Sequence, residues 1–341
     1  MRRPATFASH ASGGNHYTPW PQPVQDFLQE FLPLQRPPNY QLVADELISR
    51  FAFQRDRKSV AAYARRHFPL LVRAADRPPK PRRRWERSRI AELWQHDSSI
   101  HPWWPADTKQ TLLLTVDDHS RKYLAGTFVP TDTTWNHFEH FRHAFGRHGR
   151  PTALYTDGLA LFGYQSSTEG GDPRSEFQRA LTALGVSHLV APSPQAKGKI
   201  ERRFGTFQKR LVTLLAFEKV TDFATAQPLL DQELARQNRT VCRTTGLCPD
   251  DAWAKAQEEG RDALRPPPDP RLMDLHLALH FSRRTNADHQ IDFLGRSWPI
   301  GPTQRRTVTL VHHPDRQFWV IAHRPTAPDH RWPDILAKFS L

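Results

Sequence analysis

The spacing of apolar positions changes several times along the chain, and each change predicts a different kind of element. In 24–34 the run VQDFLQEFLPL sets Phe27, Phe31 and Leu34 on one helical stripe. A second helical pattern spans 41–51, with Leu42, Val43, Leu47 and Ile48 apolar, and a third spans 58–67, with Val60, Tyr63 and Ala64 facing inward. The latter two are short, separated by a few polar residues, and end in a segment rich in Arg57, Lys58, Arg65 and Arg66. That pattern predicts a helix-turn-helix reading DNA, although a generic helical bundle would look the same. From residue 90 to about 260, strand and helix patterns alternate. The runs ELWQHDSSI, TLLLTVDDHS and KYLAGTFV precede a helix at 135–145 and a strand at 152–156. A polar, Gly-rich stretch at 163–176 reads as a flexible loop; helix, the strand HLVAPS and a long helix from Pro194 follow. Three strands in hairpin order, then alternation, predict an α/β domain with a mixed sheet covered by helices. Beyond residue 272, ALHFSRR, SWPI, TVTLVHH and QFWVIAH, punctuated by turns, predict a small β-barrel.

Composition supplies the boundaries. Residues 1–20 are polar and turn-rich and are expected to be disordered, leaving a helical DNA-binding region at 21–76. The segment 77–89, RPPKPRRRWERSR, holds Arg77, Lys80, Arg82, Arg83, Arg84, Arg87 and Arg89 against one acid. Its prolines keep it extended, so it reads as a solvated linker or as one lying along a phosphate backbone. The core is expected at 90–260, a Pro-rich linker at 261–272 and the barrel at 273–341. Lys and Arg total 48 against 35 Asp and Glu, a formal charge of +13 that favours a polyanionic partner. No apolar run is long enough to span a membrane or serve as a signal peptide, so a cytoplasmic, nucleoid-associated protein is expected. Two cysteines, Cys242 and Cys248, exclude a disulfide framework and a four-thiolate zinc site.

Cutting and joining phosphodiesters calls for hard oxygen ligands that hold divalent ions on rigid elements. Asp97 lies at the end of the first strand pattern, and Asp157 closes the strand ending at Thr156. Glu201 lies in the helix PQAKGKIERRFGTFQKRL, whose Ile200, Phe204, Phe207 and Leu211 recur at core spacing. About 100° from Ile200, Glu201 shares its face with Lys197, Gly205 and Gln208. Lys197, Lys199, Arg202, Arg203, Lys209 and Arg210 make this helix a cationic surface suited to DNA.

The segments HDSS, YTDG and SPQAKGKIERRFGTFQKRL resemble the three motifs of the DDE integrase core shared by bacterial insertion-sequence transposases and retroviral integrases. The hairpin turn with Asp118, Ser120 and Arg121, the approach Pro194, Gln195, Gly198, and the end at Asn238-Arg239, Thr244-Thr245-Gly246 and Pro249 resemble the same family, over 84–256. The resemblance implies an RNase H-like mixed sheet and Asp97, Asp157 and Glu201 as catalytic, metal-binding carboxylates for two Mg²⁺ or Mn²⁺ ions. It further implies cleavage and strand transfer at element ends, with double-stranded DNA (element ends and target) as partner and a homo-oligomer assembled on it. Lys197, Lys199, Arg202, Gln208, Lys209, Arg82, Arg83, Arg84, Lys58 and Arg65 are the expected DNA contacts. The chain departs from the family at two points. The 43 residues between Asp157 and Glu201 exceed the usual spacing, the Gly-rich stretch supplying the excess, and Gln208 stands where many relatives carry Lys or Arg.

Other residues compete for attention. Asp117 and Asp118 could replace Asp97 but are better read as capping a hairpin turn. His137, His140 and His143 have a spacing that could bind metal, yet a solvated helix face fits them better. His96 and His101 flank the first aspartate and could support it; Trp103 and Trp104 read as packing residues. The competing functions are a host-recruited or inactive DNA-binding relative, and an RNase H-like nuclease without strand transfer.

Overall fold

The computed structural model describes residues 19–34, 38–69, 86–107, 109–157, 175–191, 198–303, 306–313, 317–323 and 332–341, without the side chains of 199 and 201–203. The chain forms two compact units, Met1–Pro78 and Pro79–Leu341. The first contains α1 (Gln22–Phe31) with a 3-10 turn at Leu32–Leu34, α2 (Tyr40–Phe51) and α3 (Arg57–His67). Asn39 accepts from the Leu42 amide and Asp56 from the Ser59 amide, so each of the last two helices starts on a side-chain cap. Leu28, Leu42, Leu47 and Ala64 fill the core, and Trp20 stacks on Tyr63 with centroids 4.1 Å apart. Arg57, Lys58, Arg65 and Arg66 are all exposed, on the outer side of α3.

The second unit is built on a five-stranded sheet in the order β3-β2-β1-β4-β5: β1 (Leu93–His101), β2 (Gln110–Asp117), β3 (Tyr123–Val129), β4 (Ala153–Thr156) and β5 (Ser187–Val190). β1, β2 and β3 pair antiparallel, whereas β4 joins β1, and β5 joins β4, in parallel. This is the RNase H-like arrangement implied by the sequence resemblance. One sheet face packs on α4 (Thr134–His148) and α5 (Glu176–Ala183) through Trp94, Phe138, Phe141, Phe145, Leu154 and Phe177. The opposite face packs on α6 (Gly198–Phe217) and α7 (Phe223–Asn238) through Leu112, Leu114, Val116, Phe207, Leu211 and Leu230. Trp103 and Trp104 belong to this second core, as packing residues.

Two amides on α7 close the free edge of β3. Gln227 accepts from the Phe128 amide at 3.0 Å and donates to the Gly126 carbonyl, and Asn238 does both with Tyr123 at 2.8 Å. Strand edges left bare invite pairing with other chains, so this edge is blunted by side chains standing in for a strand. Gly126 lets α7 approach closely: a Cβ there would lie 2.9 Å from Leu234 Cδ1 and push that side chain aside.

After α8 (Pro249–Glu258) the chain returns to the sheet. Ile90 bridges to Asp262 and Arg150 to Arg265. α9 (Pro270–His276) and β6 (Leu279–Arg284) then dock on α5. Arg179 donates to the carbonyls of His276 and Ala278 at 3.0 and 2.6 Å, while Glu176 accepts from Arg179 and from the His280 amide. The remaining strands are β7 (Gln290–Phe293), β8 (Arg296–Pro299), β9 (Thr307–His312), β10 (Gln317–Ile321) and β11 (Ile335–Ser340). β7 and β11 were not anticipated, being short and interrupted by polar residues. A four-stranded sheet, β11-β10-β9-β6, and the β7-β8 hairpin share a core of Ile291, Phe293, Leu310, Phe318 and Val320. Among the described residues no helix is long and apolar enough to cross a membrane.

Candidate active site

Strand register brings the first two candidate carboxylates together. β1 and β4 pair in parallel with Leu93 opposite Ala153, Trp94 opposite Leu154 and Gln95 opposite Tyr155. Carried two residues further, the same register sets Asp97 level with Asp157, the residue that follows β4. Neighbouring strands lie about 4.8 Å apart and paired residues face the same way, so both side chains leave one sheet face side by side. Asp97 is buried, with Oδ1 accepting from the Ser98 amide at 3.0 Å, and Asp157 is partly exposed at the sheet rim.

Their face is the one covered by α6. Asp97 pairs with Leu114, and Leu114 packs in the core with Ile200, Phe204, Phe207 and Leu211. Gln208 Nε2 donates to Ser99 Oγ at 3.2 Å, fixing one side of α6 over the end of β1. Glu201 lies on α6 two turns before Gln208, in the first helical turn; its side chain is outside the described residues. A buried ion pair holds the helix laterally. Arg210 Nε meets Glu233 Oε2 of α7 at 2.8 Å, with both side chains 3% exposed. Burial pushes the Glu233 carboxyl up, but Arg236 and Arg210 outweigh it and hold the group below the usual range.

Asp97 and Asp157 offer hard oxygens on rigid strands, the donor chemistry that Mg²⁺ and Mn²⁺ prefer. Among the described residues no group of three or more His, Cys, Asp or Glu side chains is placed to hold a metal ion. Of the expected DNA contacts, Lys209 is exposed on α6, Gln208 is turned inward to Ser99, and Lys58 and Arg65 lie on α3 of the other unit. Lys197, Arg82, Arg83 and Arg84 lie outside the described residues, as do the side chains of Lys199 and Arg202 and most of the loop 163–176.

Asp117 and Asp118 do brace the hairpin. Asp117 is fully buried and accepts from Ala91 N, Ser120 N and Ser120 Oγ, each at 2.8 Å. Burial pushes its carboxyl up to about 6. Asp118 accepts from Gln95 and from the Arg87 amide. The histidine reading needs correction: His143 is exposed, but His137 and His140 are completely buried against β1 and β2. They avoid solvent because each finds polar partners inside. His96 Nδ1 lies 2.8 Å from Thr115 Oγ1 and His96 Nε2 lies 2.8 Å from His137 Nδ1. His140 bridges Thr115 and Thr127, also at 2.8 Å. Asp132, in the loop between β3 and α4, ends the chain with Oδ1 2.6 Å from His137 Nε2 and Oδ2 2.5 Å from Ser98 Oγ. The available signal was polar residues at interior positions of three successive strands: His96, Thr115 and Thr127.

A protein of Sinorhizobium fredii named transposase y4bF is 32% identical over 163 residues, covering 47% of this chain and 36% of its own length. The transposase for insertion sequence IS1202 of Streptococcus pneumoniae is 27% identical over 241 residues, 67% of this chain and 48% of that protein. The chain is similar to these bacterial transposases. It spans less than half of the length of either relative. No protein-family model matches it. Among solved structures, the HTLV-2 integrase catalytic core domain in complex with magnesium is 20% identical, with a TM-score of 0.37 over 48% of this chain and 95% of that one. A simian T-cell lymphotropic virus intasome is 17% identical, with a TM-score of 0.43 over 80% and 92%. The RNase H-like reading rests on strand order and pairing, not on these scores.

Proposed function

We propose that this transposase relative is a DDE-type polynucleotidyl transferase that cuts DNA at insertion-element ends and joins them to target DNA. The observation that supports the reading is the parallel pairing of β1 with β4, whose register, continued two residues beyond Gln95 and Tyr155, would set Asp97 level with Asp157 on the face covered by the helix that bears Glu201. These three residues would hold two Mg²⁺ or Mn²⁺ ions, which when bound supply the charge to activate the attacking oxygen and offset the negative transition state. In cleavage, water attacks the phosphorus at the element end and the P–O3′ bond breaks, leaving a 3′-hydroxyl. In joining, that 3′-oxygen loses its proton and attacks a target phosphodiester, and the displaced target 3′-oxygen takes up a proton. The protein fixes the ligands: β1 and β4 hold the aspartates in line, while Gln208 and the Arg210–Glu233 pair hold α6 over them. The flanking helices and the basic face of α6 would grip double-stranded DNA, with two or more copies on paired ends, in the bacterial cytoplasm.

The deciding experiment is joining of a labelled element-end duplex into plasmid with Mg²⁺ or Mn²⁺, for the full chain and for Asp157→Asn and Glu201→Gln. Joining by the unaltered chain alone is the expected result. Joining by either variant at the original rate would remove that residue from the site.

A further inference from the structure

Asp97 sits between two residues that point the other way. His96 and Ser98 face α4, and both end on the same carboxylate, Asp132, in the loop between β3 and α4. Ser98 reaches Oδ2 directly at 2.5 Å, while His96 reaches Oδ1 through His137, by contacts of 2.8 and 2.6 Å. The result is a closed loop of hydrogen bonds that begins and ends on β1, one residue to either side of Asp97. Turning the strand about its axis, the motion that would swing Asp97 out of line with Asp157, must break one of these bonds.

The direction of the bonds follows from the end groups. Burial pushes the Asp132 carboxyl up, but hydrogen bonds from His137 and Ser98 outweigh it, so the group stays ionised and can only accept. At the other end burial pushes His140 down to about 3, keeping that ring neutral. In the arrangement with one proton on each ring, the Thr127 hydroxyl would donate to His140 Nδ1 and His140 Nε2–H to Thr115 Oγ1. Thr115 would then donate to His96 Nδ1, His96 Nε2–H to His137 Nδ1, and His137 Nε2–H to Asp132. In that arrangement every bond runs towards Asp132. A core otherwise lined by Phe138, Phe141 and Phe145 could have been closed with apolar residues, without the cost of burying three imidazoles.

We propose that Asp132 is a positioning residue for Asp97: with His137 it clamps His96 and Ser98, and so holds the aspartate in register with Asp157. The proposal rests on the reading of Asp97 as a metal ligand and adds the device that aims it. Groups that orient metal ligands from behind are commonly worth about 10–100-fold in metal affinity.

The test is Mn²⁺ binding by the full chain without DNA, followed by electron paramagnetic resonance of the free ion. Unaltered protein, Asp97→Asn and Asp132→Asn are compared. Asparagine has the shape of aspartate, but its Nδ2 can only donate to Ser98 and its neutral Oδ1 accepts from His137 more weakly, so the charge-assisted clamp is lost. Asp132→Asn is expected to weaken binding by about tenfold or more, and Asp97→Asn to abolish it. Unchanged affinity in Asp132→Asn beside lost affinity in Asp97→Asn would overturn the clamp alone. Full affinity in Asp97→Asn would overturn the ligand assignment and the clamp with it. Should Asp132→Asn not fold, long-range ¹H–¹⁵N correlation of the unaltered protein decides independently. The clamp requires a proton on Nε2 of His137, the atom that faces Asp132, and a His137 ring protonated on Nδ1 alone excludes it.

Discussion

On one face of β1, Asp97 and Ser99 look toward α6 over a core of Leu112, Leu114, Phe204 and Phe207; on the other, Trp94, His96 and Ser98 look toward α4. Both faces bury polar groups, but they satisfy them differently. The α4 face connects His96, Thr115, Thr127, His137 and His140 into one chain that needs nothing from outside the protein. The α6 face carries Asp97 and, where the β1–β4 register is continued, Asp157 level with it, hard oxygen donors of the kind that divalent cations prefer. A strand with a two-residue repeat can thus carry reactive groups on one side and the bonds that hold them on the other.

The hardest way to break this comparison is to remove charge from the α6 face. Asp97→Asn or Asp157→Asn should lower strand joining by roughly a thousandfold or more while leaving the midpoint of thermal unfolding nearly unchanged. Joining measured beside calorimetry checks it. Loss of stability as large as the loss of activity would mean that the aspartates are structural.

How much of this was legible depends on the range of the interactions involved. The order of strands and helices in the core could be read because apolar repeats are local: TLLLTVD became β2, and 135–145 became the centre of α4. Asp157 could be singled out because a turn signal ends its strand, and both aspartates because their surroundings resemble a known family; Asp97, expected at a strand end, lies in the middle of β1 because the strand continues through Ser98 to His101. Asp132 could not, since its two partners are 34 and 5 residues away and its importance exists only once β1 and α4 pack. Histidines three apart on a helix look solvated until β1 and β2 are seen to offer His96 and Thr115 opposite them. Glu233 was equally hidden, its partner Arg210 lying on another helix.

That buried pair gives the next largest effect, now on stability. Glu233→Ala leaves the Arg210 guanidinium buried without its carboxylate, a change that typically costs about 3–5 kcal/mol. Denaturant unfolding should show the loss, and Glu233→Gln should recover only part of it. An effect below about 1 kcal/mol would mean that water reaches the pair and that α6 is held by its apolar stripe alone.

Acid sharpens the comparison from the α4 side. Burial pushes His140 down to about 3, and burial likewise pushes His148, His188 and His276 down to about 4. Below the ordinary histidine range the unfolded chain takes up protons that these rings refuse, so stability is lost as pH falls from about 6.5 toward 4. Each group contributes at most about 1.4 kcal/mol per pH unit. Asp117 works in the opposite sense: its raised value, about 6, favours the native state below that pH and withdraws the contribution as pH rises through it. The net slope should therefore be set by the histidines, and His140→Gln should flatten it. A slope unchanged in that variant would mean that His140 accepts a proton in the folded chain.

The smallest expected effect separates two roles for Gln208. Its bond to Ser99, 3.2 Å long and partly buried, is an ordinary neutral hydrogen bond. Gln208→Ala should therefore cost no more than about 1 kcal/mol of stability. If the side chain only braces α6 over β1, the variant should bind element-end DNA with an unchanged dependence on salt, because no phosphate contact is lost. Gln208→Lys tests the other role, since an added cation within reach of a phosphate should steepen the logarithmic salt dependence by about one unit. A steeper slope for lysine with an unchanged slope for alanine would place position 208 beside DNA while leaving glutamine as a brace. No change in either would confine residue 208 to the interface between α6 and β1, and leave Lys209, exposed on the next position of the same helix, as the DNA contact to examine.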